Sequence, residues 1–221
     1  MLVIVPSRGR PDAMAELVTV FGDTATGDTR LLFGVDSDDP QRDNYLAPES
    51  GGLTGRVSVN VSRRAGMVGT LNRLAAMHAD DYDVLAFMGD DHRPRTPGWD
   101  QRFADMLAER PGVAYGDDLL QGEALPTSAF ISSGLVRALG YMAPPCLRHL
   151  YVDNAWLDFG RATNLTYLPD VVIEHVHPLA GKVEPDDGYR EVNALHARDS
   201  AAYQRWRTEQ WPTDRARLHG G

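Results

Sequence analysis

Residues 83–92 read Asp83-Val84-Leu85-Ala86-Phe87-Met88-Gly89-Asp90-Asp91-His92. A short apolar run ends in glycine and then two adjacent carboxylates. Such a run reads as a buried strand. Asp90 and Asp91 then stand at its C-terminal end, where open α/β sheets place their ligands. Two clustered carboxylates are costly unless something cationic neutralises them. A divalent metal carrying a phosphorylated ligand answers that need. A solvent turn is the alternative, because Gly-Asp-Asp also suits a loop.

Upstream of this run, strand and helix patterns alternate. Leu2 to Val5 is β-rich, and Pro6-Ser7-Arg8-Gly9-Arg10-Pro11 makes a loop. Met14, Leu17, Val18 and Phe21 then recur at helical spacing. Arg30 to Val35 reads as a second strand, ending in Asp36-Ser37-Asp38-Asp39-Pro40. Residues 40–55 are loop-like, and Val57 to Val61 alternates as a strand. Met67 to His78 reads as a helix with Leu71, Leu74 and Ala75 on one face. Alternation of this kind predicts βαβ units, a mostly parallel sheet and an α/β/α sandwich.

Downstream the elements shorten. Trp99 to Arg110 reads as a helix, Gly112 to Tyr115 as a strand, and Gly116-Asp117-Asp118 repeats the Gly-Asp-Asp pattern. Ser128 to Ser132 is a further strand and Gly134 to Leu139 a helix. Asp153 opens an amphipathic stretch with Trp156, Leu157 and Phe159. Val171 to Val176 is an apolar strand that runs into His175, His177 and Pro178. From Gly181 onward the chain reads as a polar loop and tail, with Tyr203, Trp206 and Trp211 as packing anchors.

Composition narrows the function classes. A chain of 221 residues with 43% hydrophobic content can bury a real core as one domain. A net charge of −9 argues against a general nucleic-acid binder, although Arg93, Arg95 and Arg102 could form a local contact strip. Cys146 is the single cysteine, so there is no intrachain disulfide framework, and it reads as a buried or incidental thiol. No apolar stretch approaches the roughly 20 residues that span a bilayer. The start, MLVIVPSRGRP, is too short for a signal peptide. Together these features predict a soluble cytoplasmic protein.

No GxxxxGK[ST], GxGxxG or GxSxG pattern is present, which removes the commonest phosphate cradles and the nucleophile elbow. In the Asp90-Asp91 pair, one carboxylate can reach a metal and the other can accept from a ribose hydroxyl. His175 and His177, two apart on a predicted strand, face one side, and one of them is a candidate metal ligand. Carboxylates with one imidazole suit Mn2+ or Mg2+ better than structural zinc. Arg8 and Arg10 can meet phosphate or a base, or form a solvated loop. Asp36 can accept from a nucleobase N–H or cap a turn. Arg63 and Arg64 form a further small basic site. Asp153 is either a helix N-cap or a general base.

In chain order these segments resemble a GT-A-type glycosyltransferase, close to family 2. VIVPSRGRP resembles the first strand and nucleotide loop, GVDSDDP the second acidic loop, and RRAGMVGTLNRLA the Gly- and Asn-containing helix. FMGDDHRPRTPGW resembles the DxD region, although Gly89 stands where a ribose contact is expected. TSAFISSGLVRALGYM is similar to the acceptor-side strand and helix. YVDNAW sits at the Glu-Asp motif with Val152 in place of Glu, and VVIEHVHP falls where a metal-binding histidine is supplied. Two stretches, GDDLLQGEALPT and HVHPLAGKVEPDDGYREVN, also look like glycosyltransferase-like proteins of bacteriophages.

The resemblance implies a GT-A, Rossmann-like α/β/α sandwich over residues 1–221. Residues 1–95 would form its nucleotide half, 96–180 its acceptor half and 181–221 a C-terminal loop and tail. It implies a nucleotide-sugar donor (UDP- or GDP-linked) and a Mn2+ or Mg2+ ion. Asp91 would hold the metal, with His177 or His175 completing the site and Asp90 on ribose or metal. Ser7, Arg8, Arg10, Asp36 and Arg64 would line the nucleotide, and Lys182 would close on the diphosphate. Asp153 would deprotonate the acceptor hydroxyl and invert the anomeric centre. The acceptor, a glycan, a protein or a modified DNA base, is left open. A nucleotidyltransferase and a non-catalytic nucleotide-sugar-binding protein are the rival readings.

Overall fold

The computed structural model describes residues 1–45, 55–177 and 194–219. Strands β1 (Leu2–Ser7), β2 (Arg30–Asp36), β3 (Val57–Ser62) and β4 (Val84–Phe87) alternate with helices α1 (Pro11–Thr24), α2 (Arg42–Tyr45) and α3 (Gly66–His78). Then come β5 (His92–Pro94), α4 (Trp99–Glu109), β6 (Val113–Asp117), β7 (Ala129–Ser132), α5 (Ser133–Leu139), α6 (Val152–Ala162) and β8 (Leu165–His175). Helices α7 (His196–Glu209) and α8 (Trp211–His219) follow.

The strands form an eight-stranded sheet in the order β3-β2-β1-β4-β7-β6-β8-β5. β1 pairs in parallel with β2 on one side and β4 on the other. The chain winds outward through β2 and β3, then returns to the far side of β1. That reversal makes the gap between β1 and β4 the topological switch point, where a crevice opens at the C-terminal strand ends. β7 and β5 run against the other strands. A single short 3-10 turn, Gly122–Ala124, lies between β6 and β7, and a parallel pair needs a longer crossover, so an antiparallel return is the available geometry.

Side-chain alternation builds the layers. Leu2 and Ile4 of β1, Leu85 of β4 and Ile131 of β7 face one core, with Leu71 and Leu74 of α3 and Trp156 and Phe159 of α6. Val3 and Val5, Val84 and Ala86, and Phe130 face the other core, with Leu17 and Phe21 of α1 and Trp99 and Phe103 of α4. The period of two in each strand gives both faces apolar cover, the condition for a sheet buried between helices. The result is the mixed α/β sandwich expected from the sequence.

Two predicted elements change. The strand assigned to Val171–Val176 spans Leu165–His175, and its register with β6 jumps from Gly116↔Leu168 to Asp117↔Val172. Pro169 and Asp170 interrupt the apolar pattern there, which hides the first half of the strand. The polar tail contains α7 and α8, whose low apolar content gives no strong helical period. Tyr203 and Trp206 are buried as anchors, and Trp211 packs partly buried against the same core.

Gly34 sets how closely α3 approaches the sheet. A Cβ at this position would lie 2.3 Å from Thr70 Cγ2 and 3.0 Å from Leu74 Cδ1. Gly34→Ala therefore forces α3 outward and should cost about 1–3 kcal/mol, read as a lower urea midpoint at unchanged m-value.

Candidate active site at the C-terminal strand ends

The switch point brings the end of β1 against the turn after β4. Ser7 Oγ donates to Asp90 Oδ2 at 2.6 Å, and Arg10 Nη1 donates to Asp90 Oδ1 at 3.3 Å. Tyr45 bridges the same corner: its hydroxyl shares a 3.0 Å hydrogen bond with Ser7 Oγ and accepts the Arg10 N–H at 2.6 Å. Asp90 is buried, and burial together with the Asp91 charge pushes its pKa up to about 6. Arg93, also buried, donates to the carbonyls of Asp90 (2.6 Å) and His92 (2.8 Å) and to Glu16 (2.7 Å). It clamps the acidic turn from below.

Asp91 faces two imidazoles. β5 pairs with β8 so that His92 lies opposite His175, and their rings stack at 4.4 Å. Asp91 Oδ1 is 3.5 Å from His92 Nδ1, and Asp91 Oδ2 is 3.5 Å from His175 Nε2. Burial alone would raise the Asp91 pKa, but the facing His175 and His92 outweigh it and hold this carboxyl well below the usual range. Two neighbouring carboxylates are thus driven apart in acidity by their surroundings. The backbone fixes them as well, with Val176 N–H donating to Asp91 O at 2.9 Å.

Asp91, His92 and His175 offer ligand atoms that all lie within 4.8 Å of one another. The 3.5 Å oxygen–nitrogen separations exceed a good hydrogen bond. They approach the roughly 3 Å spacing of two donors about 2.1 Å from one ion. Gly89 N–H donates to His92 Nδ1 at 2.8 Å and fixes the orientation of that ring. Among the described residues, His92 Nε2 and His175 Nδ1 are buried with no hydrogen-bond partner. Burial lowers the His92 pKa and favours the neutral ring that a metal needs. This donor set fits a divalent cation. A Cβ at Gly89 would lie 2.4 Å from Asp91 Oδ1 and 3.0 Å from His92 Nδ1, so a side chain there would displace the Asp91 carboxylate.

His177 departs from the predicted strand. β8 ends at His175, and His177 N–H donates back to His175 O at 3.0 Å. The chain turns at Val176, so the two histidines do not share a strand face. Their rings meet edge to face at 4.9 Å, and His177 lies beside the three-residue group rather than in it.

Arg8, Asp36 and Arg64 are paired among themselves and with Asp38. Arg8 Nη1 donates to Asp36 Oδ2 (3.2 Å) and Asp38 Oδ1 (2.8 Å), and Arg64 Nε stands 3.9 Å from Asp36 Oδ2. Asp39 is buried and accepts from the N–H groups of Gly9 (2.7 Å) and Gln41 (2.8 Å), tying the two loops together. Lys182 lies outside the described residues. The arginine strip dissolves: Arg93 is buried, Arg95 pairs with Glu174 at 2.6 Å, and Arg102 pairs with Asp170 at 2.8 Å. Those partners are distant in sequence. Cys146 is exposed, not buried.

Asp153 sits in the first turn of α6, and Tyr151, at φ 65°, is the N-cap residue instead. The Asp153 carboxylate accepts the neighbouring Asn154 N–H at 2.9 Å. Burial pushes its pKa up to about 6 against the opposing field of His175. His149, which its sequence context does not single out, has a pKa lowered by burial and interacts with the Asp91 charge. The second Gly-Asp-Asp plays a different part. Asp118 is buried and accepts from the N–H groups of Leu120 (2.9 Å), Gln121 (2.6 Å) and Gly122 (2.9 Å) and from Thr127 Oγ1 (2.7 Å). It caps a loop.

Solved structures share this fold. The mannosyltransferase PcManGT from Pyrobaculum calidifontis, in complex with GDP-Man and Mn2+, matches with a TM-score of 0.65 at 15% identity, over 90% of this chain and 61% of its own. Glucosyl-3-phosphoglycerate synthase from Mycobacterium tuberculosis, in complex with Mn2+, UDP and phosphoglyceric acid, matches with a TM-score of 0.59 at 15% identity, over 91% and 76%. TarS 1-349 from S. aureus, in complex with UDP, gives 0.56 at 13% identity, over 78% and 58%. The chain thus spans less than two thirds of PcManGT and of TarS 1-349. These likenesses establish a GT-A-like fold; the resemblance to bacteriophage proteins finds no support in them. No family model and no curated protein matches the sequence. Among the described residues, no helix is long and apolar enough to cross a membrane.

The Tyr45 hydroxyl is the hinge of the Ser7–Asp90–Arg10 corner. Tyr45→Phe leaves the Arg10 N–H without its acceptor and should cost about 1–2 kcal/mol. Urea unfolding of the purified variant measures it.

Proposed function

We propose that this protein transfers a sugar from a nucleotide-sugar donor to a hydroxyl acceptor with the help of a divalent cation. One observation carries this reading: a carboxylate–imidazole group, Asp91 with His92 and His175, at the switch point of a GT-A-like sheet. Mn2+ and a nucleotide or nucleotide sugar accompany two of the similar structures, which supports the same kind of ligand here.

Asp91, His92 and His175 would hold Mn2+ or Mg2+, with His177 at the border of the group. When bound, the cation supplies charge stabilisation for the departing diphosphate. Asp90, held by Ser7 and Arg10, would accept from the donor ribose, and Arg10 would be released toward the phosphates. Asp36, with Arg8 and Arg64, would meet the nucleobase, and a UDP or GDP moiety suits that hydrogen-bonding edge equally. Lys182 would add a cation near the diphosphate.

Asp153 would act as the general base. A carboxylate raised to about 6 is deprotonated at neutral pH yet basic enough to take a hydroxyl proton in the transition state. As the acceptor oxygen attacks the anomeric carbon in line, the C–O bond to the nucleotide breaks and the proton moves to Asp153. The configuration inverts. The acceptor is a hydroxyl of a glycan, a protein or a modified DNA base.

Two outcomes test the assignment. Asp91→Asn should lower Mn2+-dependent nucleotide affinity by about 100-fold while leaving the fold intact, as far as a single-ligand loss allows. Calorimetry with and without Mn2+ reads this, and Gly89→Ala should act in the same direction. Asp153→Asn should bind UDP- or GDP-sugar as the parent does and lose transfer by roughly 10²–10⁴-fold. In the parent, the rate should fall about tenfold per pH unit below the Asp153 pKa of about 6, because protonation removes the base. A flat profile from pH 5 to 7, or release of pyrophosphate, would contradict the role and favour a nucleotidyltransferase.

A further inference from the structure

The turn that leads into α6 is held by a residue from a different part of the chain. Asp199, on the first turn of α7, is fully buried. Its carboxylate accepts three consecutive backbone N–H groups: Arg148 (3.2 Å), His149 (2.9 Å) and Leu150 (3.0 Å). Arg198 Nη1 donates to the same carboxylate at 2.5 Å. Successive N–H groups converging on one anion form a concave anion-binding backbone, and here the anion is built into the protein.

The next residue, Tyr151, adopts φ 65°, a conformation that side chains other than glycine rarely take. Its ring stacks on Tyr203 at 5.5 Å with an interplanar angle of 22°. Asp199 and Tyr203 are one helical turn apart, so one face of α7 grips both the turn and the N-cap of α6. From the other side, Val68 N–H at the start of α3 donates to Arg148 O at 3.3 Å. Asp153 follows two residues after Tyr151. Neither Asp199 nor Tyr203 is near the three-residue group in sequence, and the N-cap residue Tyr151 makes no side-chain cap hydrogen bond to α6.

We propose that Asp199 is a positioning residue for the transfer step: it locks the 148–150 turn so that His149 and the Asp153 carboxylate are presented toward Asp91 and His175. The proposal rests on the glycosyltransferase reading for its catalytic consequence, though not for the contact itself. With Asp199 in place the turn has one conformation, and α6 starts at a fixed point. Without it, three part-buried N–H groups lose their charged acceptor, the strained Tyr151 relaxes, and Asp153 samples unproductive positions.

The experiment combines amide hydrogen exchange with steady-state kinetics on the full chain. UDP-glucose and GDP-mannose serve as donor probes with Mn2+, and release of UDP or GDP is followed. In Asp199→Asn, the amides of residues 148–150 should exchange at least about tenfold faster than in the parent, because the carboxamide keeps only one neutral acceptor oxygen and turns its NH2 toward the Arg198 donor. The kcat should fall at least about tenfold with the donor KM within about twofold, the pattern of a lost transition-state arrangement. Asp214→Asn is the matched control. Asp214 is also fully buried, accepts from Arg217 at 3.1 Å and from Tyr141, and touches no residue of the turn. It should lose thermal stability and keep kcat.

Unchanged exchange at 148–150, or a folded Asp199→Asn with parental kcat, overturns the proposal. Equal loss of kcat in Asp214→Asn overturns it too, because general destabilisation would then account for the effect. Should Asp199→Asn fail to fold, Asp199→Glu, which keeps the charge but carries the carboxylate one methylene further along the side chain, is read by the same two measurements and the same criteria. A parent chain that turns over neither donor counts against the glycosyltransferase reading, while the exchange data still decide whether Asp199 holds the turn.

Discussion

Everything around this site depends on keeping two adjacent carboxylates, Asp90 and Asp91, at the mouth of a buried sheet. Side by side in a low-dielectric corner, they cannot both carry unscreened charge. The protein gives each a different neighbourhood. Asp90 is hydrogen-bonded by Ser7 and Arg10 and pushed toward neutrality, while Asp91 is kept ionised by two imidazoles. The split is chemically useful. One carboxyl stays a hydrogen-bonding group, and the other stays a ready anionic ligand.

That division requires the sheet to place three distant segments together. The switch between β1 and β4 delivers Ser7 to Asp90, and the β5–β8 pairing delivers His175 to His92. A one-residue slip in the second pairing would turn His175 to the opposite face and leave Asp91 without its partner. Gly89 allows the turn to fold tightly enough for both contacts, and Arg93 fixes the carbonyls beneath it. The loops and helices that follow are arranged about this point, with α6 bringing in Asp153 and α7 setting where α6 begins.

The same dipeptide pattern has two fates in this chain. Gly89-Asp90-Asp91 follows a strand at the switch point and faces cationic and imidazole groups. Gly116-Asp117-Asp118 closes strand β6, beside the antiparallel return, and spends its second carboxylate on three backbone N–H groups and a hydroxyl. Local sequence is alike, and the topology around each strand end decides which carboxylate is left to bind something else. Arg93 tells the same story for cations: among neighbouring arginines in sequence, it alone is buried, because Glu16 of α1 and the acidic turn surround it.

The amino-acid sequence by itself determined the alternating strands and helices through Trp99, the two-faced burial of the sheet, and the acidic strand end after Phe87. It also offered Asp91, His175, His177 and Asp153 as candidate chemistry-bearing positions. These are local properties, written in apolar period and in the residue that ends each run. Tertiary structure decided the rest. The antiparallel direction of β7, the hidden first half of β8, the pairing that makes His92 the third member of the group, the displacement of His177, and the grip of Asp199 on the turn before α6 all depend on which segments meet. Contacts between residues far apart in the chain leave no periodic trace in either partner. They become visible only when strand register and helix packing bring the partners face to face.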